Sequence, residues 1–360
     1  MISREPPYLQ YLFSKAVRNG VPLSGTFELT SRCNFNCKMC YIHNSNNDEL
    51  KKKELTAQQW KDIALCAQKA GMLILLITGG EPLLRPDFSE IYTYCKNLGF
   101  EIAVNTNGSL ITDEIIELFK KYRPSRVSIS LYGTSDETYK EVTCKTGYYE
   151  KVTENILKLK SAGIQVKISI VVSSYNRDDI ASIYQFAKEN QIPTETSCYL
   201  FPSARLGQNT DRPSAIEAAE NMVTGDKCYY GKRYHERKEV LSKIEENKKE
   251  QAESGLHIRC RAGRAAMWIS YDGTMLPCGM MVEPKASVLE NGFNNAWETI
   301  KEEAKKIILP VECTNCEYSS VCDSCAASCY AETGRFDGLP QYLCQKAHEY
   351  VRLSKKELEI

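Results

Sequence analysis

Between residues 24 and 205, six short apolar runs alternate with stretches of helical pattern, and this alternation narrows the fold more than any other feature of the chain. The runs span 25–29, 73–78, 101–105, 126–131, 165–172 and 194–200. Between them Thr56 caps one helix, Asp87 starts another, and the acidic pair Asp113 and Glu114 opens a third. Strands separated by helices form a parallel sheet with helices over it. Six such units predict an α/β chain built as an open partial (β/α)6 barrel of the TIM type, with its reactive groups at the C-terminal strand ends.

Two motifs fall at such ends. After the first run come Cys33, Cys37 and Cys40, spaced C-x3-C-x2-C. Three thiolates this close suit three irons of a four-iron cluster, and the missing fourth leaves one iron open to a small molecule. The competing reading is a zinc site, for which His43 is the only nearby fourth ligand, although zinc sites usually pair cysteines in two C-x2-C halves. At the end of the second run Thr78 is followed by Gly79, Gly80 and Glu81. Two residues without a Cβ let backbone carbonyls approach a ligand, or form an ordinary strand-to-loop turn.

The cysteine run with Tyr41 after it, and Thr78-Gly79-Gly80-Glu81-Pro82 further on, resembles the radical S-adenosylmethionine (radical SAM) family. The resemblance implies that Cys33, Cys37 and Cys40 hold the cluster, and that the amino and carboxylate groups of S-adenosyl-L-methionine chelate its open iron. It places the cofactor's ammonium near Gly79, Gly80 and Glu81, its ribose and carboxylate near Asn105, Asn107 and Ser130, and its adenine near Tyr41. Asn107-Gly108 reads equally well as a turn, and Tyr41 as packing beside the cluster. Many relatives carry an arginine past the fourth strand; here the segment is Thr143-Cys144-Lys145-Thr146-Gly147, and Lys145 is the substitute. Cys144 stands where similar sequences often have glycine, and a lone cysteine is ordinarily a small buried hydrophobe.

The chain has 16 cysteines in 360 residues. Its N-terminus lacks the apolar core of a signal peptide, and its longest apolar run, 72–77, is far too short to span a bilayer. A cytoplasmic location away from membranes is expected, where cysteines bind metal rather than pair. Lys plus Arg and Asp plus Glu are 46 each, which leaves no global field to recruit nucleic acid. Residues 1–23 carry Tyr8, Leu9, Tyr11, Leu12 and Phe13, expected as a short helix against the barrel. They are too few for the leader-binding domain of many peptide-modifying relatives, so leader recognition would fall elsewhere or to a separate protein. After the barrel (24–225) a charged linker (226–258) containing Cys228 is expected, helical over 238–253 with a solvated face, before a C-terminal domain (259–360).

That last part holds a second cysteine system. Cys260 and Cys278 flank Tyr271-Asp272-Gly273, which predicts a hairpin with an Asp-Gly turn. Then come Cys313, Cys316, Cys322, Cys325, Cys329 and Cys344. Their number and order resemble the SPASM domain, a cysteine-rich C-terminal extension of radical SAM enzymes that carries two auxiliary 4Fe-4S clusters. The resemblance implies Cys313, Cys316, Cys322 and Cys344 for the outer cluster, and Cys260, Cys278 and one of Cys325 or Cys329 for the inner one. Cys325 is favoured; the fourth inner ligand is an open position or a remote group such as Cys228. A pair of zinc ribbons is the competing reading.

The implied chemistry is reductive cleavage of S-adenosyl-L-methionine to a 5'-deoxyadenosyl radical, which takes hydrogen from an unactivated carbon of the substrate. The auxiliary clusters would accept the electron left behind, and a flavodoxin or ferredoxin would supply the reducing electron. The favoured substrate is a ribosomally synthesised peptide, modified by a thioether or carbon–carbon crosslink, by oxidation or by epimerisation. The alternatives are haem or other small-molecule cofactor synthesis, and a non-catalytic metal-cluster scaffold.

Overall fold

The computed structural model describes residues 6–42, 48–203, 211–230, 237–242, 244 and 254–359. His43, residues 204–207 at the end of the last barrel segment and most of the expected 238–253 helix lie outside the described residues.

Six parallel strands follow one another in space as in sequence: β1 Ser24–Glu28, β2 Ile74–Thr78, β3 Glu101–Thr106, β4 Arg126–Ser130, β5 Val166–Val171 and β6 Thr194–Ser197. The Val, Ile and Leu residues of β2 to β5 are largely buried, at positions that alternate with more exposed ones, whereas β6, Thr-Glu-Thr-Ser, buries none of its residues. The helix Ala57–Lys69 starts where expected, with Thr56 accepting from the Gln59 backbone N–H and Gln59 reaching back to Thr56. Thr112 caps the helix Asp113–Lys121, and Asp113 and Glu114 lie in its first turn. Under β1, the Phe27 and Trp60 rings sit 5.0 Å apart and both are wholly buried.

The sheet does not stop with the six barrel strands. β7 Ala266–Ile269 pairs parallel with β1, and β8 Thr274–Leu276 and β9 Ala286–Ser287 continue antiparallel from it. The nine-stranded order is β6-β5-β4-β3-β2-β1-β7-β8-β9, an open sheet with β6 and β9 at its edges. The expected Asp272-Gly273 turn is present, with Gly273 at φ +83°.

The N-terminal helix Pro7–Asn19 buries Phe13 and Ala16 beside Leu23 and Ala265, with the Arg261 guanidinium 3.3 Å above the Phe13 ring. The helix Ala215–Tyr230 spans the expected boundary at 225/226 and packs on the C-terminal helix Gln341–Leu358, where the Tyr350 hydroxyl donates to Asp226 at 2.5 Å. Among the described residues no helix is long and apolar enough to cross a membrane.

Candidate active site

The loop carrying Cys33, Cys37 and Cys40 leaves β1 at the C-terminal end of the sheet, and its neighbours hold it by named bonds. Thr30 and Arg32 both engage Glu54, the arginine by two N–H groups at 2.8 and 3.0 Å. Arg85, itself buried, donates to the Leu29 and Leu55 carbonyls at 2.9 Å. On the far side, the Asn36 and Lys38 N–H groups donate to Thr143 and Val142 at the end of the helix Asp136–Thr143.

Gly79 and Gly80 complete the cradle. The Gly80 and Glu81 N–H groups donate to the Thr30 and Arg32 carbonyls at 2.7 and 2.8 Å. A Cβ on Gly79 would stand 2.5 Å from the Thr30 carbonyl oxygen, and one on Gly80 would stand 2.4 Å from that of Arg32. The glycines therefore admit the backbone of the cysteine loop itself.

Glu81 turns inward. Its wholly buried carboxylate accepts from Thr106 Oγ1 at 2.8 and 2.9 Å, from Asn107 N at 2.7 Å and from Leu83 N at 3.0 Å, joining the ends of β2 and β3. Burial pushes its pKa up to about 7 against the pull of these donors. Asn107 is buried too, and its amide donates to Asn34 at 2.9 Å and toward Cys33 Sγ at 3.7 Å, while its oxygen accepts from Ser109. Asn107 thus braces the cysteine loop.

Desolvation pushes Cys33 up to about 12 and Cys37 well above its ordinary value, and the neighbouring thiols add to the rise in both. Thiols kept neutral by burial become ligands only when a metal replaces their protons. Among the described residues no three His, Cys, Asp or Glu side chains meet around one point as a single metal ion would require. A four-iron cube spreads its ligands further apart, and three thiols on one partly buried loop fit that demand.

The remaining expected residues lie around the loop. Asn105 pairs in register with Ser128, half-buried on β3. Ser130 ends β4, in register with Ser169 of β5. The Tyr41 carbonyl accepts from Ser203 at 3.4 Å. Lys145 is exposed in the turn after Cys144, which has φ +56°, the left-handed conformation that makes glycine common at such a position. Tyr132 was not expected from the sequence; it packs beside Cys37 and Met39, with its ring 6.4 Å from that of Phe35, and no local pattern marks that contact.

The C-terminal cysteines sort into two neighbourhoods. Cys344 interacts electrostatically with Cys313 and Cys316, and Cys322 with Cys344. Cys260 interacts with Cys325, which packs with Cys278 around Ile258 and Met281. Cys329 is wholly buried between the groups, 3.6 Å from Ser324 Oγ. Cys228 lies apart with Cys198, near Tyr184 against the barrel core.

A cavity of about 230 Å³ opens between the ends of β1 and β7. Glu28, Ser31, Ile42, Ser270, Asp272 and Lys285 line it. Glu28 is fully buried and accepts from Trp268 Nε1 at 2.7 Å; Ser31 is 1% exposed.

Residues 27–187, the strand and helix units just described, match the Radical SAM superfamily. This part of the chain is a radical SAM domain. Beyond that match, the hairpin continuing the sheet and the cysteine run after it complete the fold of the SPASM-type radical SAM enzymes, and the protein is an enzyme. Among curated relatives, it is 29% identical over 327 residues to the AdoMet-dependent heme synthase of Methanosarcina barkeri, covering 86% of this chain and 93% of that one. It is 30% identical over 282 residues to the antilisterial bacteriocin subtilosin biosynthesis protein AlbA of Bacillus subtilis, 78% of this chain and 59% of that one. Among solved structures it matches Streptococcus suis SuiB bound to precursor peptide SuiA with a TM-score of 0.67 at 18% identity, over 95% of this chain and 82% of that one.

Proposed function

We propose that this radical SAM enzyme is a maturase of a ribosomally made peptide. The observation that carries the reading is the cavity beside the cysteine loop: at about 230 Å³ and lined by Glu28, Ser31, Asp272 and Lys285, it suits a side chain with its flanking amides better than a flat macrocycle. The likeness to AlbA and to SuiB with its precursor peptide supports the same reading. Haem synthesis is the second reading, favoured by the match over nearly all of the Methanosarcina barkeri heme synthase.

Cys33, Cys37 and Cys40 would hold the radical-generating cluster, with S-adenosyl-L-methionine lying toward Asn105 and Ser130. When bound, this pair supplies hydrogen abstraction from an unactivated carbon. The chain's own work is positional: Gly79 and Gly80 seat the loop, and Asn107 and Asn34 fix its first turn. Cys313, Cys316, Cys322 and Cys344 would hold an outer auxiliary cluster, and Cys260, Cys278 and Cys325 an inner one. A leader-binding protein and a flavodoxin- or ferredoxin-type donor complete the reading.

The test is anaerobic reconstitution of the intact chain and of a Cys33, Cys37, Cys40 to Ala variant. About twelve irons are expected, falling to about eight with loss of 5'-deoxyadenosine formation under dithionite. A short peptide encoded beside this gene, incubated with the intact enzyme, is expected to lose two hydrogens or to take up deuterium from solvent by mass spectrometry. An unchanged peptide with consumption of an iron porphyrin would transfer the reading to haem synthesis.

A further inference from the structure

Beside Cys33 three side chains donate to one another in a closed ring. Asn107 Nδ2 donates to Asn34 Oδ1 at 2.9 Å, Asn34 Nδ2 to Ser109 Oγ at 2.8 Å, and Ser109 Oγ to Asn107 Oδ1 at 2.6 Å. Each donor feeds the next acceptor in the same sense, the arrangement in which hydrogen bonds polarise one another. Ser109 is wholly buried and Asn107 is 5% exposed, so water competes little for these bonds. The turn that carries them is fixed from below. Gly108, between the two, has φ +78°, and a Cβ there would stand 2.7 Å from Ile129 Cγ2. Its N–H donates to Thr106 Oγ1 at 3.0 Å, and its carbonyl accepts from Asn155 Nδ2 at 2.8 Å.

The ring leaves the Asn107 amide one orientation. Its oxygen accepts from the Ser109 N–H at 2.9 Å as well as from the Ser109 hydroxyl. Turned over, the amide would set its own N–H groups against the Ser109 N–H and its oxygen against Asn34 Oδ1. The second Nδ2 hydrogen is therefore held toward Cys33 Sγ, which lies 3.7 Å from Nδ2. That sulfur also accepts from Phe35 N at 3.4 Å, a donor within its own loop, whereas Asn107 reaches it from the end of β3.

We infer that Ser109 is a positioning residue: through the ring with Asn34 it holds the Asn107 amide N–H on Cys33 Sγ, and this bond raises the reduction potential of the cluster that Cys33 would hold. The inference rests on the reading above, in which Cys33, Cys37 and Cys40 are the ligands of that cluster. The redox change is one electron entering the cluster from a flavodoxin- or ferredoxin-type donor, with no bond made or broken. That electron adds negative charge to the ligating sulfurs, and an N–H fixed on one of them stabilises the reduced form more than the oxidised one.

The experiment is a redox titration of the full iron-loaded chain followed by electron paramagnetic resonance, reading the signal that is lost in the Cys33, Cys37, Cys40 to Ala variant. Asn107→Leu, close in shape and without a donor, is expected to lower that midpoint, changing the reduced-to-oxidised ratio at fixed poise about tenfold, ~59 mV for a one-electron couple. Ser109→Ala keeps Asn107 but opens the ring, and is expected to lower the midpoint by less. A packing disturbance that admitted water would stabilise the more highly charged reduced cluster and raise the midpoint, so the sign separates the two causes. An unmoved or raised midpoint in Asn107→Leu overturns the inference, as does an equal shift in the signals that survive in the triple variant. A fall in Asn107→Leu with Ser109→Ala unmoved overturns the role of Ser109. If Asn107→Leu takes up no iron, Ser109→Ala decides alone: a fall supports the inference, and no change or a rise overturns it. A triple variant that loses no signal would instead defeat the cluster reading, and the inference with it.

Discussion

Glu81 joins the end of β2 to the end of β3 through a carboxylate that no water reaches. Its carboxyl is buried among donors from β3 and its own turn, and its pKa rises from the ordinary 4.5 to about 7. For an acid raised in the folded state, the stabilising contribution is complete below the ordinary value and is lost as pH rises through about 7. The full swing is about 3 kcal/mol. Glu81→Gln keeps an oxygen acceptor but cannot ionise, so its thermal midpoint should fall less than that of the parent between pH 5 and 7.5; equal slopes would count against the assignment. The sequence made the place of Glu81 and the two glycines plain, because a Gly-Gly pair closing an apolar run is a local signal. What the glycines face was not legible. The backbone filling the space before each Cα comes from Thr30 to Arg32, about fifty residues earlier. Tyr132 was missed for the same reason, since contacts between distant segments leave no periodicity.

The six barrel strands were readable as elements because each is a short apolar run closed by turn or cap residues. The hairpin was readable from Asp272-Gly273. Its partner was not: strand character is local, whereas the choice of neighbour is made by the whole sheet. Trp268 is the side chain that turns this pairing into a bond with the barrel, giving its indole N–H to buried Glu28 while its ring covers Gly279. Trp268→Phe keeps the ring contact and removes the donor. A loss of about 2 kcal/mol is expected, since the acceptor is a buried carboxylate. Calorimetry of the intact chain checks it, and a midpoint within error of the parent would show that the bond carries no stability.

At the scale of the molecule, we propose that the barrel unit (24–225) and the cysteine-rich unit (259–360) form one cooperative body. β1 is flanked by β2 on one side and β7 on the other, and Met267 and Ile269 are buried against it. A chain ending at residue 253 would leave β1 as an open, apolar edge, the kind of edge that pairs with other copies. Such a truncation is expected to elute as soluble aggregate rather than monomer in size-exclusion chromatography. A well-behaved monomer would show that the barrel stands alone.

The same flanking strands set an order of events at birth. Glu28 and Trp268 are 240 residues apart in the chain. A ribosome covers that distance in on the order of ten seconds or more. Until β7 is made, β1 can have no neighbour but β2, and the loop bearing Cys33, Cys37 and Cys40 would hang from a strand with one side bare. Pairings this remote in sequence also slow the search for the native state. Iron delivered early would meet a loose loop on a half-made sheet, whereas iron delivered after release would meet the finished cradle, so the timing of metal supply is written into where β7 falls in the chain.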